Sequence, residues 1–399
     1  MIYLDHAAAT PVSLRVQKAM EPYLSELFFN PSAAYLPAKR VREDFENAKN
    51  KIANFIGAKG NDLVITSGAT EANVLAFTSV NAVIEARTKS PKEFAKNPKV
   101  LALETEHSSV LENAKKYNFE TIKVDKTGLI DLSDLKKKLT GEVALVSVSL
   151  ANNELGTIQP LSEIAEILRN EKMRRLGEGN LTPLLLHSDA SQGLSLLDLN
   201  VSRLGVDLLT LNAAKVSGPK GVGALYVGRG VRLSPFALGG GQERGLRSGT
   251  ENVAGAVGFA EALEAVKGHS SAARKKYTGL VENLKKELEK AKVPPVFLGN
   301  KTHKLANFLP VSFPGLDAER LIYALEEREV FLSTGAACAA SKGEPSHVLR
   351  AIGLSPEEIA GSLRISLGVL NDEENVLEAG KIIRKVVDSE YERIKDVRV

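Results

Sequence analysis

The chain has 399 residues, 43% hydrophobic and 25% charged, which is enough apolar material for a full core and for two domains. Its 52 Lys and Arg nearly balance 49 Asp and Glu and are interspersed with them, so a net charge of +3 gives no basic face for nucleic acid and no polyanion partner is implied. The single cysteine, Cys338, excludes an internal disulfide and a multi-cysteine metal site. The start, MIYLDHAAATP, does not read as a secretory signal, and apolar runs such as Val143 to Ala151 are too short to cross a bilayer. No membrane partner and a cytoplasmic location are therefore expected.

The first ten residues read as a short extended piece, and Val12 to Phe28 as a helix. A stronger helix is expected from Pro37 to Ile56, with Val41, Phe45, Ala48, Ile52 and Phe55 on one face at helical spacing. Strands and helices then alternate. Leu63 to Thr66 reads as a strand before a helix opened by SGATEAN, and Val100 to Leu103 as a strand before a helix at Val110 to Tyr117. Glu142 to Leu150 is a strand before a helix at Leu161 to Leu168, and Leu184 to Leu186, Leu208 to Leu211 and Gly223 to Val227 are further strands. Asn170 to Thr182 is polar and basic and reads as a surface excursion.

This order predicts an α/β fold: a large domain whose mainly parallel sheet is covered by helices on both faces. Beyond Gly241 long helices (Glu251 to Val266, Ala272 to Lys290) and strands near Asn307 to Phe313 and Leu363 to Leu367 read as a smaller α+β domain. The last helix is capped by Asp372 and buries Val376, Ala379, Ile383, Val386 and Val387. The expected division is residues 13–261 against 1–12 with 262–399.

Ligands in such sheets bind at the carboxyl ends of the strands, and each end offers a candidate. In LLTLNAAKVSGPKGVGALYV, Lys215 follows a buried strand and small residues, a setting that can lower a lysine's pKa and make it a Schiff-base nucleophile. A solvated loop lysine fits the spacing equally well. In SGATE the free N–H groups near Ala69 and the Thr70 hydroxyl can face an anion, or simply cap the helix. Asp189 in HSDASQG follows an apolar run and can cap a helix or accept from a ligand N–H, and Gln192 and Asn153 are amides in turns that follow apolar strands. His107 in ETEHSSV can stack on a ring and move protons near neutral pH. Arg364 in GSLRISLG is flanked by apolar residues and suits either a substrate α-carboxylate or an internal salt bridge. Cys338 stands in STGAACAASKGEPS, where a loop carrying a reactive thiolate competes with a small buried hydrophobe.

These segments, with YLDHAAATP, NPSAA, TSGATEAN, TEHSSVL, NNELGTIQP, HSDASQ, GPKGVGALYVG and GGGQERGLRSGTEN, resemble the cysteine desulfurases of the housekeeping and nitrogen-fixation type. These are class V aminotransferase-type enzymes that depend on pyridoxal 5'-phosphate. The resemblance implies that Lys215 carries the cofactor and acts in catalysis with His107 and Cys338. It also implies that Asp189 pairs with the ring nitrogen and that Gln192 and Asn153 steady the phenolic oxygen. Ala69, Thr70 and Thr250 of a neighbouring subunit would hold the phosphate, and Asn212 lies among the cofactor-binding positions. Arg364, with Asn153, would bind the substrate.

The implied reaction turns L-cysteine into L-alanine with a persulfide on Cys338. The implied partners are an iron–sulfur scaffold or other sulfur acceptor and a second copy of the chain, and no metal is implied. The family's Ser-x-His before the lysine is here Asn212-Ala213-Ala214, removing a hydroxyl and an imidazole, and Tyr35 replaces a histidine after the NPS turn. The alternatives are another enzyme of the same type, such as a selenocysteine lyase, and a weakly active cofactor-binding docking protein.

Overall fold

The structure, a computed structural model, describes residues 1–334 and 345–397; Cys338 lies outside them. Short strands fall into three sheets. β1 (Ile2–Tyr3) pairs in parallel with a late strand described below. The large sheet takes β2 (Leu63–Thr66), β3 (Lys99–Leu103), β4 (Asn118–Ile122), β5 (Val143–Ser147), β6 (Leu185–Asp189), β7 (Leu208–Asn212) and β8 (Gly223–Val227). Their spatial order is β2-β8-β7-β6-β5-β3-β4. Only β8 runs antiparallel to its neighbours, so β2 through β7 all point the same way and end at one edge.

Alternate strand residues serve opposite faces. Leu63, Ile65, Leu101, Leu103, Leu209 and Leu211 pack with the helices Leu36–Phe55, Leu161–Gly177 and Val253–Val266. Val64, Val100, Ala102, Leu208 and Leu225 pack with the helices Ala69–Lys89 and Ser108–Ala114. Both faces are therefore covered, as the run of alternating elements implies.

A second core gathers Leu4 and Ala7 from the amino terminus with Leu280, Leu284, Phe313, Leu363 and Ile383. Its strands are β9 (Val296–Phe297), β10 (Phe308–Ser312), β11 (Val330–Phe331), β12 (Ser333–Thr334) and β13 (Ser362–Ser366). Four of them form an antiparallel sheet in the order β12-β13-β10-β9, and β11 is the parallel partner of β1. The last helix, Glu373–Val397, starts where Asn375 N–H donates to Asp372 Oδ1 at 2.9 Å, and the five expected apolar side chains are buried.

Three local expectations are corrected. The helix over Val12 to Phe28 is two shorter ones, Leu14–Met20 and Pro22–Ser25, because Pro22 brings no N–H to the ladder. NFETI, read as nothing, is β4; it is an edge strand, and an edge tolerates its polar letters. Residues 170–182 are not simply a surface excursion. The helix Leu161–Gly177 continues into them, and Arg175 is 1% exposed, its Nη1 donating to the Val143 carbonyl at 2.7 Å and its Nε to Glu171 at 2.8 Å. A guanidinium whose donors find partners can be buried, so a basic sequence concealed a core-facing turn.

Candidate functional site

Lys215 owes its position to β7. The strand ends at Asn212, whose Oδ1 accepts from Ala214 N–H at 3.2 Å and winds residues Ala213–Lys215 into one 3-10 turn. Lys215 Nζ then donates to the carbonyls of Ala7 and Ala8 at 2.7 and 2.6 Å. The amino-terminal segment is itself fastened to this loop: Lys220 Nζ donates to Thr10 O at 2.9 Å, Thr10 Oγ1 to Ala214 O at 2.9 Å, and Gln192 Nε2 to Ala7 O at 3.1 Å. Sequence reasoning gave DHAAAT no role. Its small side chains let its backbone carbonyls approach the lysine.

The anion cradle lies after β2. Gly68, at φ +146° and ψ −177°, is the residue before the helix Ala69–Lys89, so the expected hydroxyl cap is absent. Ser67 instead donates to Glu71, which also accepts from Arg247 Nε at 2.8 Å. Gly223, paired with Thr66 and Asn212, supports Gly68 from beneath: a Cβ there would come within 2.8 Å of the Gly68 backbone, whereas a Cβ on Gly68 would meet nothing within 4 Å. A helix start with free N–H groups facing open space fits a phosphate ester. Ala69 is half-buried and Thr70 exposed at that start.

Asp189 ends β6, the neighbour of β7. Its Oδ1 accepts from Ser191 N–H and its Oδ2 from Asn73 Nδ2, both at 2.9 Å. Each carboxylate oxygen keeps a lone pair, which fits a protonated ring nitrogen. His107, beyond β3, caps the helix Ser108–Ala114 through Nδ1, which accepts from Ser109 N–H at 3.1 Å and lies 2.8 Å from Ser109 Oγ. Burial holds this imidazole below the ordinary histidine range; the Asp189 charge opposes that shift, and Lys215 and His347 add to it. The ring therefore lies within electrostatic reach of both Asp189 and Lys215.

Two buried carboxyls flank these groups. Glu106 is fully buried, its Oε1 accepting from Ser149 N–H and its Oε2 without a partner among the described residues. Burial pushes it up to about 8, against the pull of Ser149 and with added repulsion from Asp189. Glu154 accepts from Ser346 Oγ at 2.6 Å, and burial pushes it up to about 7. Neither was recognised from sequence, where a Glu between polar neighbours reads as surface.

Arg364, on β13, is 4% exposed; Nη2 donates to Asp5 Oδ1 at 2.7 Å and Nη1 to the Asn153 carbonyl at 3.2 Å, while Nε has no partner among the described residues. The internal salt bridge weighed from sequence is thus present, and it coexists with unused donor capacity. In ANNELG it is Asn152 that builds the turn, taking N–H groups from Glu154 and Leu155 at 2.8 Å and donating to Thr105 O at 2.9 Å; Asn153 is half-buried beside Arg364. Thr250 is exposed, in the loop after β8. That loop is pinned by Glu243, whose buried carboxylate meets Lys49 Nζ at 3.0 Å and Ile65 N–H at 3.1 Å. The structure brings Lys215, Asp189, Gln192, Asn212 and His107 to one edge of the sheet, and Arg364 of the second core reaches the Asn153 carbonyl in the loop after β5. No helix of the described residues is long and apolar enough to cross a membrane.

Comparison with known proteins adds four findings. The Aminotransferase class-V family matches residues 2–378. A cysteine desulfurase IscS 1 of Archaeoglobus fulgidus is 38% identical over 398 residues, 97% of each chain. Among solved structures, a NifS-like protein superposes with a TM-score of 0.86 at 31% identity, over 97% of this chain and 99% of that one. A second, SspA in complex with cysteine, gives 0.76 at 31% identity over 92% and 99%.

Proposed function

The chain belongs to the class V aminotransferase family, and from that premise we propose that it is a pyridoxal-phosphate-dependent cysteine desulfurase. The observation that carries this reading is the convergence, at one sheet edge, of a lysine amine, a carboxylate and an imidazole beside a glycine-floored helix start. Cysteine bound to the SspA structure and the desulfurase relative support the choice of substrate.

When bound, pyridoxal phosphate draws electron density away from the α-carbon of an amino acid joined to it. The chain's own residues do the rest. The N–H groups near Ala69 and Thr70 would hold the phosphate, with Thr250 of a second copy in a homodimer, and Asp189 would accept the ring N–H. Gln192 and Asn153 would steady the phenolic oxygen, and Asn212 shapes the turn beneath. Lys215 would be the covalent attachment point, and its amine would serve as the base for the α-proton of cysteine. Arg364 clamps the substrate carboxylate through donors that Asp5 leaves free. The Cys338 thiolate attacks the substrate sulfur: a sulfur–sulfur bond forms, the Cβ–S bond breaks, and Cβ keeps the electron pair and takes a proton to become the alanine methyl. Cys338 is left as a persulfide for an acceptor protein, such as an iron–sulfur scaffold. Residues 13–261 form the cofactor domain in this reading, and 1–12 with 262–399 the smaller one.

The test is borohydride reduction of the yellow protein, digestion and identification of the labelled peptide, together with assays of alanine and sulfide. The label is expected on Lys215. Lys215→Ala should be colourless and inactive, and Cys338→Ala yellow but unable to make alanine from cysteine. A label elsewhere overturns the reading; alanine formation by Cys338→Ala would point to a lyase that needs no thiol.

A further inference from the structure

Asn73 has no role in the mechanism above, yet it is completely buried in the second turn of the helix Ala69–Lys89. Its Nδ2 lies 2.9 Å from Asp189 Oδ2 and 2.9 Å from Ser109 Oγ, while its Oδ1 is buried without a partner among the described residues. Leaving an amide oxygen unsatisfied costs on the order of 1–3 kcal/mol, so the orientation that uses both N–H groups is the informative feature.

Proton counting then gives the chain of bonds a direction. A carboxylate only accepts, so one Asn73 hydrogen goes to Asp189. The second goes to Ser109 Oγ, which leaves the hydroxyl's own hydrogen for His107 Nδ1, 2.8 Å away. The Ser109 backbone N–H points at the same nitrogen at 3.1 Å. A ring nitrogen that receives two donors carries no proton, so the neutral imidazole bears its hydrogen on Nε2.

We propose that Asn73 is a positioning residue that couples the Asp189 carboxylate, through Ser109, to one fixed tautomer of His107. The consequence deepens the proposed function and rests on it. With Nδ1 occupied by donors, His107 takes part as a neutral Nε2–H donor rather than as a base, and transfer of the substrate α-proton stays with Lys215. The charged and titratable groups acting on the ring, Asp189 from β6, Lys215 from the turn after β7 and His347 from the helix His347–Ala351, leave this assignment of the hydrogens unchanged, since none is a partner of Nδ1.

The test is nitrogen-15 NMR of histidine-labelled full-length protein, both cofactor-loaded and cofactor-free, with the His107 signals identified from His107→Gln. The wild type should show Nδ1 unprotonated and Nε2 protonated at neutral pH. Ser109→Ala and Asn73→Ala should shift this pattern measurably towards a mixture of tautomers, the Ser109 backbone N–H keeping part of the bias, and Ser109→Thr, which keeps the hydroxyl, should retain the wild-type pattern. In turnover, Asn73→Ala is expected to lose about ten- to a hundred-fold in kcat with KM nearly unchanged. A wild-type signal with the proton on Nδ1 overturns the proposal, as does a folded Asn73→Ala with an unaltered His107 pattern. If Asn73→Ala does not fold, the wild-type tautomer and the Ser109 pair still decide the matter. The cofactor-free spectra read the relay whether or not borohydride labels Lys215, so the two readings fail separately.

Discussion

Glu106 makes stability depend on pH in a direction opposite to that of most carboxylates. It is fully buried, its Oε2 meets no donor, and burial pushes it from the ordinary 4.5 up to about 8. Between those values the folded protein keeps a proton that the unfolded chain has released. The stabilisation is thus complete at low pH and is lost as pH rises through about 8. At about 1.4 kcal/mol per decade, the part lost between pH 6 and pH 9 is on the order of 3 kcal/mol. Glu106→Gln keeps an oxygen for Ser149 N–H and cannot ionise. Urea unfolding of cofactor-free protein at pH 6 and pH 9 should show the variant losing about 3 kcal/mol less than the parent over that interval. An identical loss in parent and variant would refute the reasoning, because it would mean that Glu106 is already ionised in the folded state at pH 6.

Glu243→Ala would strand the Lys49 ammonium in a buried position and free Ile65 N–H, a loss of about 3–5 kcal/mol in unfolding free energy. Most of it should return when Lys49→Met is added; a double variant as unstable as the single one contradicts the pairing. Gly223→Ala puts a Cβ 2.6 Å from Leu211 O and 2.8 Å from the Gly68 backbone, contacts that no side chain can relieve. A shift of the cradle should weaken pyridoxal phosphate binding about tenfold or more, read by absorbance titration, and affinity equal to the parent's would show that the glycine floor is not needed.

The alternation of apolar runs and helical spacing made the large sheet legible, since strands buried on both faces carry continuous Val, Leu and Ile. Lys215, Asp189 and His107 were legible for the same reason: each follows such a run, where the fold places ligands. β4 was not, because an edge strand need not be apolar. Arg175, Glu106 and Glu154 escaped because their charge suggests solvent, and only the donors and acceptors supplied by distant segments make their burial affordable. Asn73 lay in plain view within SGATEAN, but its meaning depends on Ser109 and Asp189, which reach it from another helix and from the end of a strand. For Arg364 the sequence left two readings open, and the contact with Asp5 gives the internal salt bridge.

The chain's two ends meet at the reactive edge. Ala7 and Ala8 receive the Lys215 amine, β1 lies beside β11, and Asp5 bridges to Ser366 and pairs with Arg364. During synthesis on the ribosome one set of partners of the amino-terminal segment, the loop around Lys215, is made by the middle of the chain, whereas β11, Arg364 and Ser366 come only much later. A nascent chain can therefore fold its large sheet early and dock this segment on one side, while its other side is covered only when the later strands emerge.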